Sequence, residues 1–331
     1  MYKFAPSNRQ SILNMFKTVY PQEFKNLFKQ AKKDKDLVFN KVFGYLRDES
    51  FVDLIGEQCF ADEQRWLDSG RESLFVPSTS FLNALGRTKF DIVETSAIQP
   101  FEKSFVLSVP SDFEINGKKI SGILVNWYES AKEASESMDS FYSKCGIETN
   151  LRPVHVNLGS GCIAMMYRVE GEEELSRCLM PTIMFESALA NNTDEFIQNI
   201  QSFANDFSFQ ALTVEEYKIQ FKLLRTVLSV MVYAQSFGDK AVKVGLPSNV
   251  APKNIVGGIG VMKSKKMTLS VSSEFETATS GFGDRAAHFR QLMAERYYLG
   301  EHSNKKRGSR IIFVSPAIVG SHNPSTLENV E

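Results

Sequence analysis

Four cysteines, four histidines and two tryptophans are all that 331 residues hold of these types. Cys59, Cys145, Cys162 and Cys178 form no C-x-x-C pair, and none stands at ligand spacing from a histidine. A zinc ribbon and a redox dithiol are thereby disfavoured, and the expected state is four reduced, buried thiols in a cytosolic protein. Charge of one sign is lacking too: 38 Lys and Arg face 39 Asp and Glu, a net of −1. That excludes a surface made as a whole for nucleic acid, so any polyanion site must be local. Long apolar runs are missing. The most apolar helical stretch, Leu223 to Ala234, is too short to span a bilayer and carries Arg225. The first residues, MYKFAPSNRQSILNMF, have no uninterrupted apolar segment of the signal-peptide kind. A soluble protein without membrane contact is expected.

What is present is a globular composition, 43% hydrophobic and 23% charged, with 26 Phe for a large aromatic core. Residues 1–95 read mostly as helices. Ser7 offers an N-cap to a face of Ile12, Leu13, Phe16, Val19 and Tyr20. Pro21 interrupts, and Phe24, Leu27 and Phe28, then Leu37, Val38, Val42, Tyr45 and Leu46, resume the helical period. Residues 1–50 hold ten Lys or Arg against five Asp or Glu, a basic amphipathic start that reads as a lysine-rich wet face or as a contact for RNA or a membrane surface.

The period then changes. KSFVLSVP reads as a strand, and Asn116-Gly117 in FEINGKKISGILVNWYE is a two-residue hairpin signal. AKEASESMDSFYSK is helical, GCIAMMYRVE a buried strand, and TDEFIQNIQSFAND a helix. The clearest helix follows Thr213, which forms a capping box with Glu216, and it ends at Gly238. Its apolar residues run most of the way round, which predicts a central, buried position. KMTLSVSSEF reads as a strand, ETATSGFGDRAA as a loop and RIIFVSP as a last strand. The expected fold class is α+β: a helical region over 1–95, a mixed core over 96–320 with an antiparallel hairpin and a long central helix, and a flexible tail over 321–331.

Chemical motifs are few. The glycine clusters NLGSGC and VGGIGVMKSKK match neither a P-loop nor a dinucleotide fingerprint, although Lys263 near Gly258 and Gly260 could meet a phosphate. Ser160 lacks the nucleophile elbow around it. His155, His302 and His322 are isolated, so no metal and no cofactor are expected. One stretch gathers chemistry. From Arg285 to Arg310 there are seven Lys or Arg, including Lys305 and Lys306, against Glu295 and Glu301. A helix over 284–298 would put His288, Gln291 or Leu292, and Glu295 on one face, with Arg285, Arg296 and Tyr297 elsewhere. Three readings stand side by side. The stretch is a solvated basic loop leading into a core strand. Or it is a binding face, in which Arg290, Arg296, Arg307 and Arg310 donate to phosphates or peptide carbonyls and Tyr297 and Tyr298 pack. Or it is a metal-independent RNase site with His288 beside Arg290 or Arg310.

This stretch resembles the type V-A anti-CRISPR family that suppresses production of the CRISPR effector nuclease, whose relatives are carried by phages and plasmids. That family has a segment of the form H-x-R-R-G-H-W, then a short spacer, two aromatics and a glycine, then a basic loop and a strand ending in proline. His288, Phe289 and Arg290 match its opening, Tyr297, Tyr298 and Gly300 its aromatic pair and glycine, and Pro316 and Val319 its close. Gln291, Leu292, Met293 and Ala294 stand where the family has its second Arg, Gly, second His and Trp. The likeness extends faintly over residues 100–240 and does not include residues 1–95. It implies a non-enzymatic anti-defence protein of a phage or other mobile element, working in the host cytoplasm. Its partner would be a segment of a host defence or effector protein, taken as a nascent chain on the ribosome, with loss of the encoding mRNA and an RNA contact through the basic patch. A virion or scaffold role is the remaining alternative. The implied surface is His288, Arg290, Arg296, Tyr297, Tyr298, Arg307 and Arg310.

Overall fold

The computed structural model describes residues 2–3, 7–32, 34–47, 54–148, 161–172, 175–206, 212–248, 255–256, 265–280 and 287–315. After a two-residue strand β1 (Tyr2–Lys3) come helices α1 (Arg9–Val19), α2 (Pro21–Gln30), α3 (Lys35–Arg47) and α4 (Leu54–Asp68). Strand β2 (Glu72–Phe75), helix α5 (Thr79–Arg87) and strand β3 (Lys89–Asp91) complete the first part of the chain. Ser7 does not cap α1. That place falls to Asn8, while the Ser7 hydroxyl accepts from the Arg9 N–H and donates to Glu63.

The fold class is α+β. Strands β4 (Ser104–Pro110), β5 (Glu114–Ile115), β6 (Lys118–Lys119) and β7 (Ile123–Tyr128) lead into helix α6 (Ala131–Lys144). The expected turn closes β5 on β6, with Asn116 at φ 53° and Gly117 at φ 75°, the two positive values a two-residue hairpin demands. Strands β8 (Cys162–Tyr167) and β9 (Ser176–Pro181) follow, then α7 (Phe185–Leu189), α8 (Thr193–Asp206) and the long α9 (Val214–Phe237). Strands β10 (Val242–Val244), β11 (Ile255–Val256) and β12 (Lys265–Leu269), helix α10 (Ser273–Ser280), and strands β13 (His288–Gln291) and β14 (Ile311–Val314) end the described chain.

The main sheet runs β10-β12-β2-β4-β7-β8-β9, with β1 joining β4 and β11 at one side. It is parallel at β12–β2 and β2–β4 and antiparallel from β4 to β9. A second sheet has the order β14-β13-β3. Strands β2 and β3 thus carry part of the first 95 residues into both sheets. Helix α9 lies against one face of the main sheet, its Val227, Leu228 and Met231 sharing a core with Leu74, Leu107, Val125 and Met165. The capping box of Thr213 and Glu216 is formed, and Gly238 closes the helix at φ 54°. On the opposite face lie α4 and α6. Beyond them α1 and α3 build a separate apolar cluster of Leu13, Phe16, Phe39, Phe43, Phe60 and Phe141. Here a side chain on Gly44 would meet the Cys145 carbonyl oxygen at 2.2 Å, so α3 and the end of α6 approach only because this residue is glycine.

Two segments differ from their sequence reading. The chain leaves β12 at Leu269, and SEFETATS is helix α10, where a strand and loop were expected. Its Phe275 and Ala278, a helical step apart, are buried, with the Phe275 ring 5.3 Å from those of Tyr233 and Phe313. The stretch holding His288 is not helical either. Strand β13 pairs in parallel with β3 and antiparallel with β14, and tertiary pairing overrides the local helical signal.

One side chain joins these layers. Arg225 of α9 is 7% exposed and has no carboxylate within ion-pair reach among the described residues. Its guanidinium donates to the carbonyls of Ala188 (2.6 Å) and Leu189 (2.7 Å) at the end of α7, and of Gly86 (3.0 Å) and Thr88 (3.3 Å) at the end of α5. These carbonyls lie at helix ends, at the negative end of the helix dipole, and that of Ala188 also accepts from a nearby backbone N–H outside the helix, that of Asn191 at 3.2 Å. Burial lowers the Arg225 pKa from its ordinary value, yet four carbonyl acceptors keep the cation in place.

Replacing Arg225 with methionine keeps the bulk and takes its donors from the carbonyls. Arg225→Met should destabilise the chain by about 3–5 kcal/mol, read as a lower denaturant midpoint, with Arg225→Lys in between. A second expectation concerns the thiols, all four of which are buried and free. Burial pushes Cys145, Cys162 and Cys178 up to about 12. At pH 8 their thiolate fraction is about one in ten thousand, so a thiol reagent should leave the native chain unlabelled and label four sites after unfolding.

Candidate functional site

Strand β13 sits between β3 and β14, and its alternation decides what each residue does. Phe289 and Gln291 point inward and are buried, at 0% and 3% exposed. Phe289 stacks on Phe90 of β3 at 5.4 Å between centroids and meets Phe313 of β14 at 5.2 Å. His288 and Arg290 point the other way, His288 half-buried and Arg290 exposed. By register they lie beside Lys89 and Asp91 on one side and Val314 and Ile312 on the other.

The loop from Leu292 to Arg310 folds back and is held by its own side chains. Tyr298 is buried, donates from its hydroxyl to the Leu292 carbonyl (2.7 Å) and accepts from the Arg310 N–H (3.2 Å). The Arg310 guanidinium donates to the Tyr297 carbonyl at 2.6 Å, and Arg307 donates through Nε to the Met293 carbonyl. These three residues brace the loop. Gln291 braces it from below: its Oε1 accepts from the N–H groups of Val93 and Glu94, both at 2.8 Å, and its Nε2 donates to the Gly308 carbonyl at 2.7 Å. Gly308 is at φ 83°. Sequence reasoning placed Gln291 on one face of an expected helix with His288 and Glu295, and marked it as a departure from the family pattern. Its role as a three-way clamp has no local sequence signal, because two of its partners lie nearly two hundred positions away.

What remains at the surface is narrower than the seven-residue set. Arg296 is exposed and lays its guanidinium over the Tyr297 ring at 5.0 Å from the centroid, with Nη2 donating to the phenol oxygen at 3.2 Å. The hydrogen bond and charge of Arg296, with a smaller contribution from Arg290, hold the Tyr297 phenol below its ordinary pKa. Arg290, Arg296 and Tyr297 therefore share one electrostatic neighbourhood. Among the described residues no carboxylate forms an ion pair with Arg290, Arg296, Lys305 or Lys306. The structure brings together Arg290, Arg296 and Tyr297, with His288 on the same strand face. It assigns Tyr298 and Arg310 to the internal bonding of the loop, and Arg307, still exposed, contributes one hydrogen bond to it. Arg285, Pro316 and Val319 lie outside the described residues, as do His155, His322, Ser160 and the Lys263 glycine cluster.

Among the described residues no three His, Cys, Asp or Glu side chains come together as metal ligands, and no helix is long and apolar enough to cross a membrane. Compared with protein-family models, curated proteins and solved structures, the chain matches none.

The Arg296–Tyr297 contact has a spectroscopic consequence. On raising the pH, Tyr297 should ionise ahead of the other tyrosines in an ultraviolet phenolate titration. Arg296→Ala should return that first step to the ordinary tyrosine range, and Arg290→Ala should move it less.

Proposed function

We propose that the protein is a non-enzymatic binding protein that takes a segment of a partner protein on the face made by His288, Arg290, Arg296 and Tyr297. One observation carries this reading: two exposed guanidiniums and a half-buried tyrosine stand together on a braced strand and loop, with no ion pair to a carboxylate of the described chain. Arginine and tyrosine are the side chains that dominate protein interfaces, since each offers flat area and directed hydrogen bonds at small entropic cost. The clamps at Gln291, Tyr298, Arg307 and Arg310 support the same reading by fixing the loop before a partner arrives.

The family resemblance supplies the biological setting of the proposal. The partner is a segment of a host defence or effector protein, met as a nascent chain, and the outcome is lower production of that target in the host cytoplasm. Catalysis is the lesser reading: of the two cations that an RNase site would set beside His288, Arg310 is engaged by the Tyr297 carbonyl, and only Arg290 remains exposed.

The test is a pull-down from a translating bacterial extract, with bound peptides and RNAs both identified. Wild-type chain should retain one defined protein segment. The Arg290→Ala, Arg296→Ala, Tyr297→Ala triple variant should retain it at least ~10-fold less while melting at an unchanged temperature. Equal capture by the variant would sink the proposal. RNA degradation by the purified protein that His288→Ala abolishes would replace it with the nuclease reading. Retention should fall only mildly between low and moderate salt, whereas polyanion binding through the same cations would fall steeply.

A further inference from the structure

A cleft of about 410 Å³ shares no lining residue with the cation–tyrosine face. One wall is the segment from Thr95 to Lys103 that leads into β4. The other is the end of β7, with Trp127 and Glu129, and Thr182 just past β9. Its size is that of small-ligand sites, with room for one long side chain and the backbone that bears it.

The wall is fixed from both sides. Gln235 of α9 accepts from the Gln99 N–H at 3.1 Å and donates to the Ala97 carbonyl at 2.8 Å. The Trp127 N–H donates to the Lys103 carbonyl at 2.8 Å. Phe101 is half-buried and packs on Phe105, 4.4 Å between ring centroids, and Trp127 is 9% exposed against Phe185 at 5.8 Å. Two aromatic side chains thus stand in a preformed recess.

The polar groups between them are biased to one sign. Lys103 is held by Glu129 at 2.9 Å and lies 3.9 Å from Glu133. Glu102, on the same wall and half-buried, has no hydrogen-bond or ion-pair partner among the described residues. The recess therefore offers aromatic surface, one carboxylate without a hydrogen bond or ion pair among the described residues, and the hydroxyl and amide groups of Thr95, Ser96, Thr182 and Gln99.

We infer that this cleft is a second binding site, which takes an arginine side chain of a peptide. A guanidinium has the planar face for Phe101 or Trp127, the fork for the Glu102 carboxylate, and remaining N–H groups for the hydroxyl and amide acceptors. A neutral side chain would leave the half-buried Glu102 with only Lys265, among the described residues, to offset its charge, and Lys265 is already paired with Glu72 at 2.9 Å. An acidic one would face two carboxylates. The site stands apart from the cation–tyrosine face, which it complements in charge.

The test is a fluorescence and calorimetric titration of the full chain, at ~0.15 M salt, with a short capped peptide bearing one central arginine and with its glutamine counterpart. Trp127 reports, since the other tryptophan, Trp66, is buried with its indole N–H on the Glu72 carbonyl. The arginine peptide should give a saturable change and the glutamine peptide none. Glu102→Gln should weaken binding ~10-fold, and Lys103→Gln, which frees Glu129, should strengthen it. The Arg296→Ala, Tyr297→Ala variant should bind the peptide as the wild type does, which separates this site from the face proposed above. Equal response to both peptides, no saturable response to the arginine peptide, or indifference to Glu102→Gln in a chain that melts normally would each overturn the inference.

Discussion

Arg225 is buried among carbonyl groups, and the arrangement of the helices follows from satisfying it. A guanidinium taken out of water is tolerated only when its donors all find acceptors. Here the acceptors are carbonyls at the ends of α5 and α7, set beside an apolar core. One residue of α9 therefore ends two other helices and fixes where both sit. The same guanidinium lies over the Phe90 ring at 5.4 Å. Phe90 stacks on Phe289, and Phe289 on Phe313, so the small sheet is seated on α9 through a continuous run of rings.

That seating turns an ordinary edge-of-domain sheet into a rigid support. The inner row of β13 is spent on the core, which leaves His288 and Arg290 as the outer row with no freedom to turn in. Two glutamines then tie the loop to the body. Gln291 holds Val93, Glu94 and Gly308, and Gln235 holds Ala97, Gln99 and Ser309. The segment between positions 93 and 99 is the shared strut. Its one end underlies the cation–tyrosine loop and its other end is a wall of the cleft, so the two candidate sites rest on a common piece of backbone.

The parts of this arrangement that were legible in the sequence are those with local causes. The capping box at Thr213, the glycine stop at Gly238 and the Asn116-Gly117 turn each act within a few residues, and each is where the pattern placed it. The misread parts depend on distant partners. His288 to Gln291 holds a single apolar residue, Phe289, too little pattern to outweigh a helical neighbourhood, and it is a strand because β3, some two hundred residues earlier, supplies the parallel edge. Phe275 looked like the end of a strand because its burial comes from Tyr233 and Phe313, not from its neighbours. The cleft was invisible for the same reason: Phe101, Trp127 and Thr182 share no motif and meet only through the sheet order. The C-terminal cations were legible as a count but not as a surface.

That last difference follows from how arginine is used throughout the chain. Arg9 is fully buried, reaching Glu63 at 3.2 Å and the Phe60 carbonyl at 3.0 Å. Arg177 reaches Asp62 at 2.7 Å, and Arg65 reaches Glu133 at 2.7 Å while stacking over Tyr128. Burial opposes the Arg177 charge, and Asp62 more than compensates, leaving the guanidinium above its ordinary pKa. Among the described residues no lysine is buried. The division is physical: a planar, weakly hydrated fork can satisfy several acceptors at once, whereas an ammonium loses too much water. Arg310, half-buried, follows the same use of carbonyl acceptors in a surface loop, and the exposed Arg307 commits one N–H to it. A basic stretch in this protein must therefore be discounted by its arginines before it is read as a patch. Of the described arginines in the stretch, Arg290 and Arg296 beside Tyr297 are left after that subtraction, together with the exposed Lys305 and Lys306.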